Sequence, residues 1–153
     1  MAGPSNIPSA WAVASSAKRE YDAIYGMSNH PLSEDIEEQA EFFYGKGQLA
    51  TTYLTKLIDK DTFSAPPNNG HLAVADFLLT KAAQIAVSTN VDALIESAGD
   101  QLFGGVVTAT HRDDAAAFYP ANAPLLKIHG CWKSDRRQTV WAPSQLLLFK
   151  APR

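Results

Sequence analysis

The segment Ile85-Ala86-Val87-Ser88-Thr89-Asn90-Val91-Asp92-Ala93-Leu94-Ile95-Glu96 passes from aliphatic to polar and back to aliphatic within twelve residues. Ile85-Ala86-Val87 is a short aliphatic run of the kind buried in parallel sheets. Val91, Leu94, Ile95 and Ala98 then recur at i, i+3, i+4 and i+7, the spacing of a helix that packs one face. The pattern predicts a strand, a polar turn and a helix, with Asn90 at the junction.

The same alternation continues downstream. Gly104-Gly105 ends the helical pattern, Val106-Val107-Thr108-Ala109-Thr110 offers a second strand, and Leu125-Leu126-Lys127-Ile128-His129 a third, closed by Gly130. Thr139-Val140-Trp141 reads as a fourth strand, with Pro143 and Ser144 opening a last helix. Upstream the chain reads as helical. A segment running from Ala10 into Tyr21 lies between proline-bearing loops, and a second helix with Ile36, Ala40 and Phe43 at helical spacing is capped by Ser33. Gly45 and Gly47 break that helix, a third carries Leu49, Tyr53, Leu57 and Ile58, and a fourth runs from His71 through Leu79 after Pro66-Pro67. Strands alternating with helices predict an α/β fold, a Rossmann-like parallel sheet with flanking helices, in a single domain over 1–153 with a helical insertion at about 33–65.

Composition bounds the function. Hydrophobic residues make up 46% and charged residues 19% of 153, an ordinary globular balance. Thirteen basic against sixteen acidic residues give a formal charge of -3, so no global positive field draws in a nucleic-acid backbone. The one dense basic group, Lys133-Ser134-Asp135-Arg136-Arg137, carries its own aspartate and reads as a solvated turn, with a phosphate contact as the alternative. The single cysteine, Cys131, excludes an internal disulfide and a four-cysteine zinc site. The opening residues lack a basic region followed by an apolar core, and no apolar stretch approaches the ~18 residues that span a bilayer, so a cytoplasmic location is expected.

Sheets of this class bind ligands beyond the carboxyl ends of their strands. Two of the predicted strands end in polar groups, Ser88-Thr89-Asn90 and His129-Gly130, which in a parallel sheet open onto one edge. Each residue alone has a local explanation: Asn90 as the N-cap of a helix beginning at Val91, Asp92 as a favourable charge in its first turn, His129 as a turn histidine. Their conjunction points to a site.

Ser88-Thr89-Asn90-Val91-Asp92-Ala93-Leu94 resembles the Thr-Gln/Thr-Asn-x-Asp-x-Leu motif of the sirtuin superfamily, and Leu126-Lys127-Ile128-His129-Gly130 its His-Gly strand. In the same order, Asn6-Ile7-Pro8-Ser9-Ala10-Trp11 is similar to the end of its glycine-rich nucleotide loop, and Pro67-Asn68-Asn69-Gly70-His71 to its Pro-Asn-x-x-His helix start. Deacylating sirtuins carry a four-cysteine zinc module after the His-Gly strand, whereas this chain passes from Cys131 to Trp132. It is therefore similar to the zinc-free sirtuin-like domains, many of which act in prokaryotic defence and consume NAD.

The resemblance implies NAD as substrate and no zinc. It makes Asn90 and His129 the catalytic pair, with Asn90 holding the nicotinamide ribose and water and His129 acting as base. Ser5, Ile7, Pro8 and Thr89 would join Asn90 and Asp92 in the nucleotide site, Asp92 accepting from the carboxamide. The family's loop is longer and follows a strand, and its chain continues into further strands. The resemblance therefore implies an incomplete domain, with a partner chain or a second copy covering the missing strands. Alternatives are an NAD-dependent protein deacylase, a non-catalytic NAD- or ADP-ribose-binding module, and a plain interaction domain.

Overall fold

The computed structural model describes residues 6–26, 31–111 and 123–147. In chain order the elements are α1 (Ala10–Tyr25), α2 (Ile36–Gly45), a π-helix (Leu49–Leu57), α3 (Asn69–Leu79), β1 (Ala86–Ser88), α4 (Leu94–Gln101), β2 (Thr108–Thr110), β3 (Leu125–Lys127), α5 (Trp132–Asp135), a 3-10 turn (Arg136–Gln138) and α6 (Pro143–Leu147). The fold is mixed α/β, with a three-stranded parallel sheet in the order β1-β3-β2. The chain divides into two compact units, residues 1–7 with 63–135 and residues 8–62 with 136–153. No helix among the described residues is long and apolar enough to cross a membrane.

The first unit holds the sheet, α3, α4 and α5. The helices α3 and α4 pack on one another. Gly99 in α4 permits a close approach that no other residue allows, because a Cβ there would stand 2.7 Å from Val106 Cγ2 and 2.9 Å from the Gly104 carbonyl. Burial at the sheet differs from the sequence expectation. β1 is an edge strand, and Val87, read as core, is 63% exposed, with Ile85 also exposed. Aliphatic character specifies a strand but not its place in the sheet, and only β3, paired on both sides, is flanked by protein along both edges.

The second unit is helical. α1, α2 and the π-helix pack together, and α2 also meets α6. Its core stacks Phe43 on Tyr53, with ring centroids 5.2 Å apart. The buried Gln39 amide donates to the carbonyls of Ala14 (2.9 Å) and Ser33 (2.6 Å), and its oxygen accepts from the Tyr53 hydroxyl at 2.8 Å. Burial, with the charge of Asp35 as a lesser cause, pushes that hydroxyl well above the usual tyrosine range.

Several boundaries differ from the pattern in the sequence. Asp35, not Ser33, caps α2, accepting from the amides of Glu37 and Glu38, while Ser33 donates to Glu38 Oε2 at 2.6 Å. An aspartate immediately before the first helical residue has the shorter reach to those amides. Residues 139–141 form no strand: the Gln145 side chain takes the amides of Trp141 and Ala142, each at 2.8 Å, and so diverts the backbone from sheet pairing.

Candidate functional site

Pairing of β1 with β3 sets Ser88 opposite Lys127. Asn90 and His129 each lie two residues beyond that pair, at the carboxyl ends of adjacent parallel strands. The two turns stay joined past the strands: the Ile128 amide donates to the Ser88 carbonyl at 3.1 Å and the Trp132 amide to the Val91 carbonyl at 2.8 Å. The polar turns that the sequence singled out thus leave the sheet side by side.

Asn90 does not cap a helix. Its amide donates to Ser88 Oγ at 3.1 Å, which folds the turn back on β1, and its exposed side chain makes no hydrogen bond among the described residues. α4 begins four residues later than Asn90 because the carbonyls that would start it earlier are used elsewhere. Val91 accepts from Trp132, and Asp92 accepts from Lys127 Nζ. Asp92 starts the helix instead, its Oδ1 taking the Leu94 amide at 3.0 Å in an Asx turn. This buried aspartate, expected in the carboxamide site, commits one oxygen to that structural role.

Thr89 is exposed beside Asn90. His129 is half-buried in the turn closed by Gly130, whose φ of 82° and amide bond to the Lys127 carbonyl (3.0 Å) reverse the chain. Its imidazole makes no hydrogen bond among the described residues.

Ser5 lies outside the described residues. Ile7 is half-buried in the unit that holds the sheet, and no hydrogen bond ties it to the strand-end turns. Pro8 belongs to the other unit. Pro67-Asn68-Asn69-Gly70-His71 builds a capping box: Asn68 Oδ1 accepts from Gly70 (3.0 Å) and His71 (3.2 Å), and His71 Nδ1 accepts the Asn68 amide at 3.1 Å. The helix accordingly starts at Asn69, ahead of the expected His71.

Sequence reasoning missed a charged cluster beneath the turns. Lys127 is only 2% exposed. Its ammonium group donates to the Asp92 carbonyl, lies 3.2 Å from Glu96 Oε1 and 3.7 Å from Cys131 Sγ, and Thr108 Oγ1 donates to the same glutamate oxygen at 3.1 Å. Glu96 Oε2 is buried with no hydrogen-bond partner among the described residues. Lys127 therefore ties β3 to the start of α4 and fixes the turn that carries Asn90. A signal was present, since a lysine interrupting Leu125-Leu126-Lys127-Ile128 has to find a counter-charge if the strand is buried.

No protein-family model matches the chain, and no curated protein is recognisably similar to it in sequence.

Proposed function

We propose that the chain is a zinc-free, sirtuin-like NAD hydrolase acting at the carboxyl ends of β1 and β3, in the cytoplasm and in a defence setting. The observation that carries this reading is the register of those two strands, in which Asn90 and His129 stand equally far past the Ser88 and Lys127 pair with their side chains uncommitted.

The reaction suits so small a set of groups. Breaking the bond between nicotinamide and ribose expels a neutral pyridine from a cationic ring, so the leaving group needs no acid, and the barrier lies in an oxocarbenium-like ribose. Orientation and electrostatics carry such a step. Asn90 holds the ribose hydroxyls and the incoming water, and His129 accepts the proton as water adds. The balance is NAD and water giving ADP-ribose, nicotinamide and one proton. Asp92 and Thr89 border the nicotinamide side, and Ile7, in the same unit, belongs to the diphosphate side of the same reading.

Incubation with NAD followed by chromatography tests it. Nicotinamide release is expected without any peptide, with Asn90→Ala and His129→Ala each lowering the rate by about 100-fold or more. Release that both variants leave untouched defeats the assignment. Release that requires an acyl-lysine peptide selects a deacylase, and calorimetric binding of NAD or ADP-ribose without turnover selects a non-catalytic module.

A further inference from the structure

A cleft of about 290 Å³ opens in the helical unit, along one face of α1 and against the turn that follows the π-helix. Its size is at the lower end of small-molecule sites, roughly 300 Å³ and upward. Val13, Leu57 and Ile58 form its buried apolar part. Its exposed residues include two of opposite charge, Arg19 on α1 and Asp59 on the turn, with the hydroxyls of Ser16 and Thr62 also lining it.

The two charges are not spent on each other. No ion pair joins Arg19 to Asp59, and the Arg19 guanidinium makes no hydrogen bond among the described residues. Asp59 is held in place by its own turn, its Oδ1 taking the Asp61 amide at 2.7 Å and its carbonyl the Thr62 amide at 3.2 Å. It stands one residue beyond the C-cap Ile58 of the π-helix, whose carbonyl end adds partial negative charge to that wall.

From this arrangement we propose that the cleft binds a small zwitterion of the α-amino-acid class with an aliphatic side chain. The carboxylate pairs with the Arg19 guanidinium, whose planar fork matches it, and the ammonium group pairs with Asp59. The side chain lies against Val13, Leu57 and Ile58. A plain anion seated at Arg19 meets repulsion from Asp59, a plain cation meets it from Arg19, and a neutral ligand desolvates both charges without pairing either. The site lies in the unit that lacks Asn90 and His129 and requires no NAD turnover.

The test is amide-resolved NMR titration of the full chain with three probes that share one isobutyl group: L-leucine, 4-methylpentanoate and 3-methylbutylamine. Leucine is expected to shift the amides of Ala12, Ser16 and Thr62 saturably, with each single-charge analogue weaker by about tenfold or more. Arg19→Gln should abolish the preference for leucine over the amine, and Asp59→Asn the preference over the carboxylate. Both residues are exposed, so the variants fold. Equal binding of the three probes, no shift at these amides with leucine, or preferences unchanged in both variants overturns the proposal.

Discussion

Each unit buries a polar network that links its elements, and the two are built on different terms. In the helical unit, neutral Gln39 has both amide hydrogens and its oxygen engaged, bridging α2 to Tyr53, Ala14 and Ser33. In the sheet unit, Lys127 and Glu96 bring opposite charges under the strand-end turns, and one glutamate oxygen has no partner among the described residues. A saturated neutral network is what packing alone requires. A charged network with an unmet acceptor costs desolvation free energy that a hydrophobic pair would not, so its presence under the turns that carry Asn90 and His129 marks positioning in preference to stability.

That contrast can be broken experimentally. The largest expected effect is in the saturated network: Gln39→Leu strands the Tyr53 hydroxyl, the buried Ala14 carbonyl and the part-buried Ser33 carbonyl and should cost roughly 2–4 kcal/mol in urea unfolding. A smaller loss means that water replaces the amide and that the network is not closed. Lys127→Met should cost about 1–3 kcal/mol, and adding Glu96→Leu should recover most of it, because the isolated carboxylate is the source of the penalty. A double variant as unstable as the single one would show that the lysine acts through its bond to Asp92 alone.

A weaker effect lies where Glu41 takes the side-chain hydroxyl and the amide (3.0 Å) of Ser144, tying α2 to α6. These bonds hold the Glu41 carboxyl below its ordinary value of 4.5. A lowered folded-state value means that the stabilisation is fully present above 4.5 and fades as pH falls through the depressed value. The stability difference between the wild type and Glu41→Gln should therefore shrink on acidification below that point, and carboxyl titration by NMR should move up in Ser144→Ala. The smallest effect belongs to Asn90→Ala, where an exposed side chain without hydrogen bonds should change stability by no more than about 0.5 kcal/mol while removing nicotinamide release. A clear destabilisation there would restore Asn90 to a structural role.

The sequence determined the class of the fold and the places of its three strands, though not their ends. Aliphatic runs of three to five residues between helical periodicities specify α/β alternation, because side-chain period and burial are local properties of the chain. Polar residues after such runs mark strand exits for the same reason, and Asn90 and His129 were legible on that ground. Tertiary structure decided what those residues do next. Asn90 has the chemistry of an N-cap, yet the carbonyls of Val91 and Asp92 are drawn off by Trp132 and Lys127, more than thirty positions away in the chain, and the helix starts later with Asp92 as its acceptor. Val87 looks like core yet lies 63% exposed, because cover over a sheet face comes from elements distant in sequence, as does the order of the strands. The Lys127–Glu96 pair joins residues 31 positions apart, a partnership fixed only once β3 and α4 have packed. Local periodicity is written residue by residue, whereas hydrogen-bond competition and strand order exist only in the assembled fold.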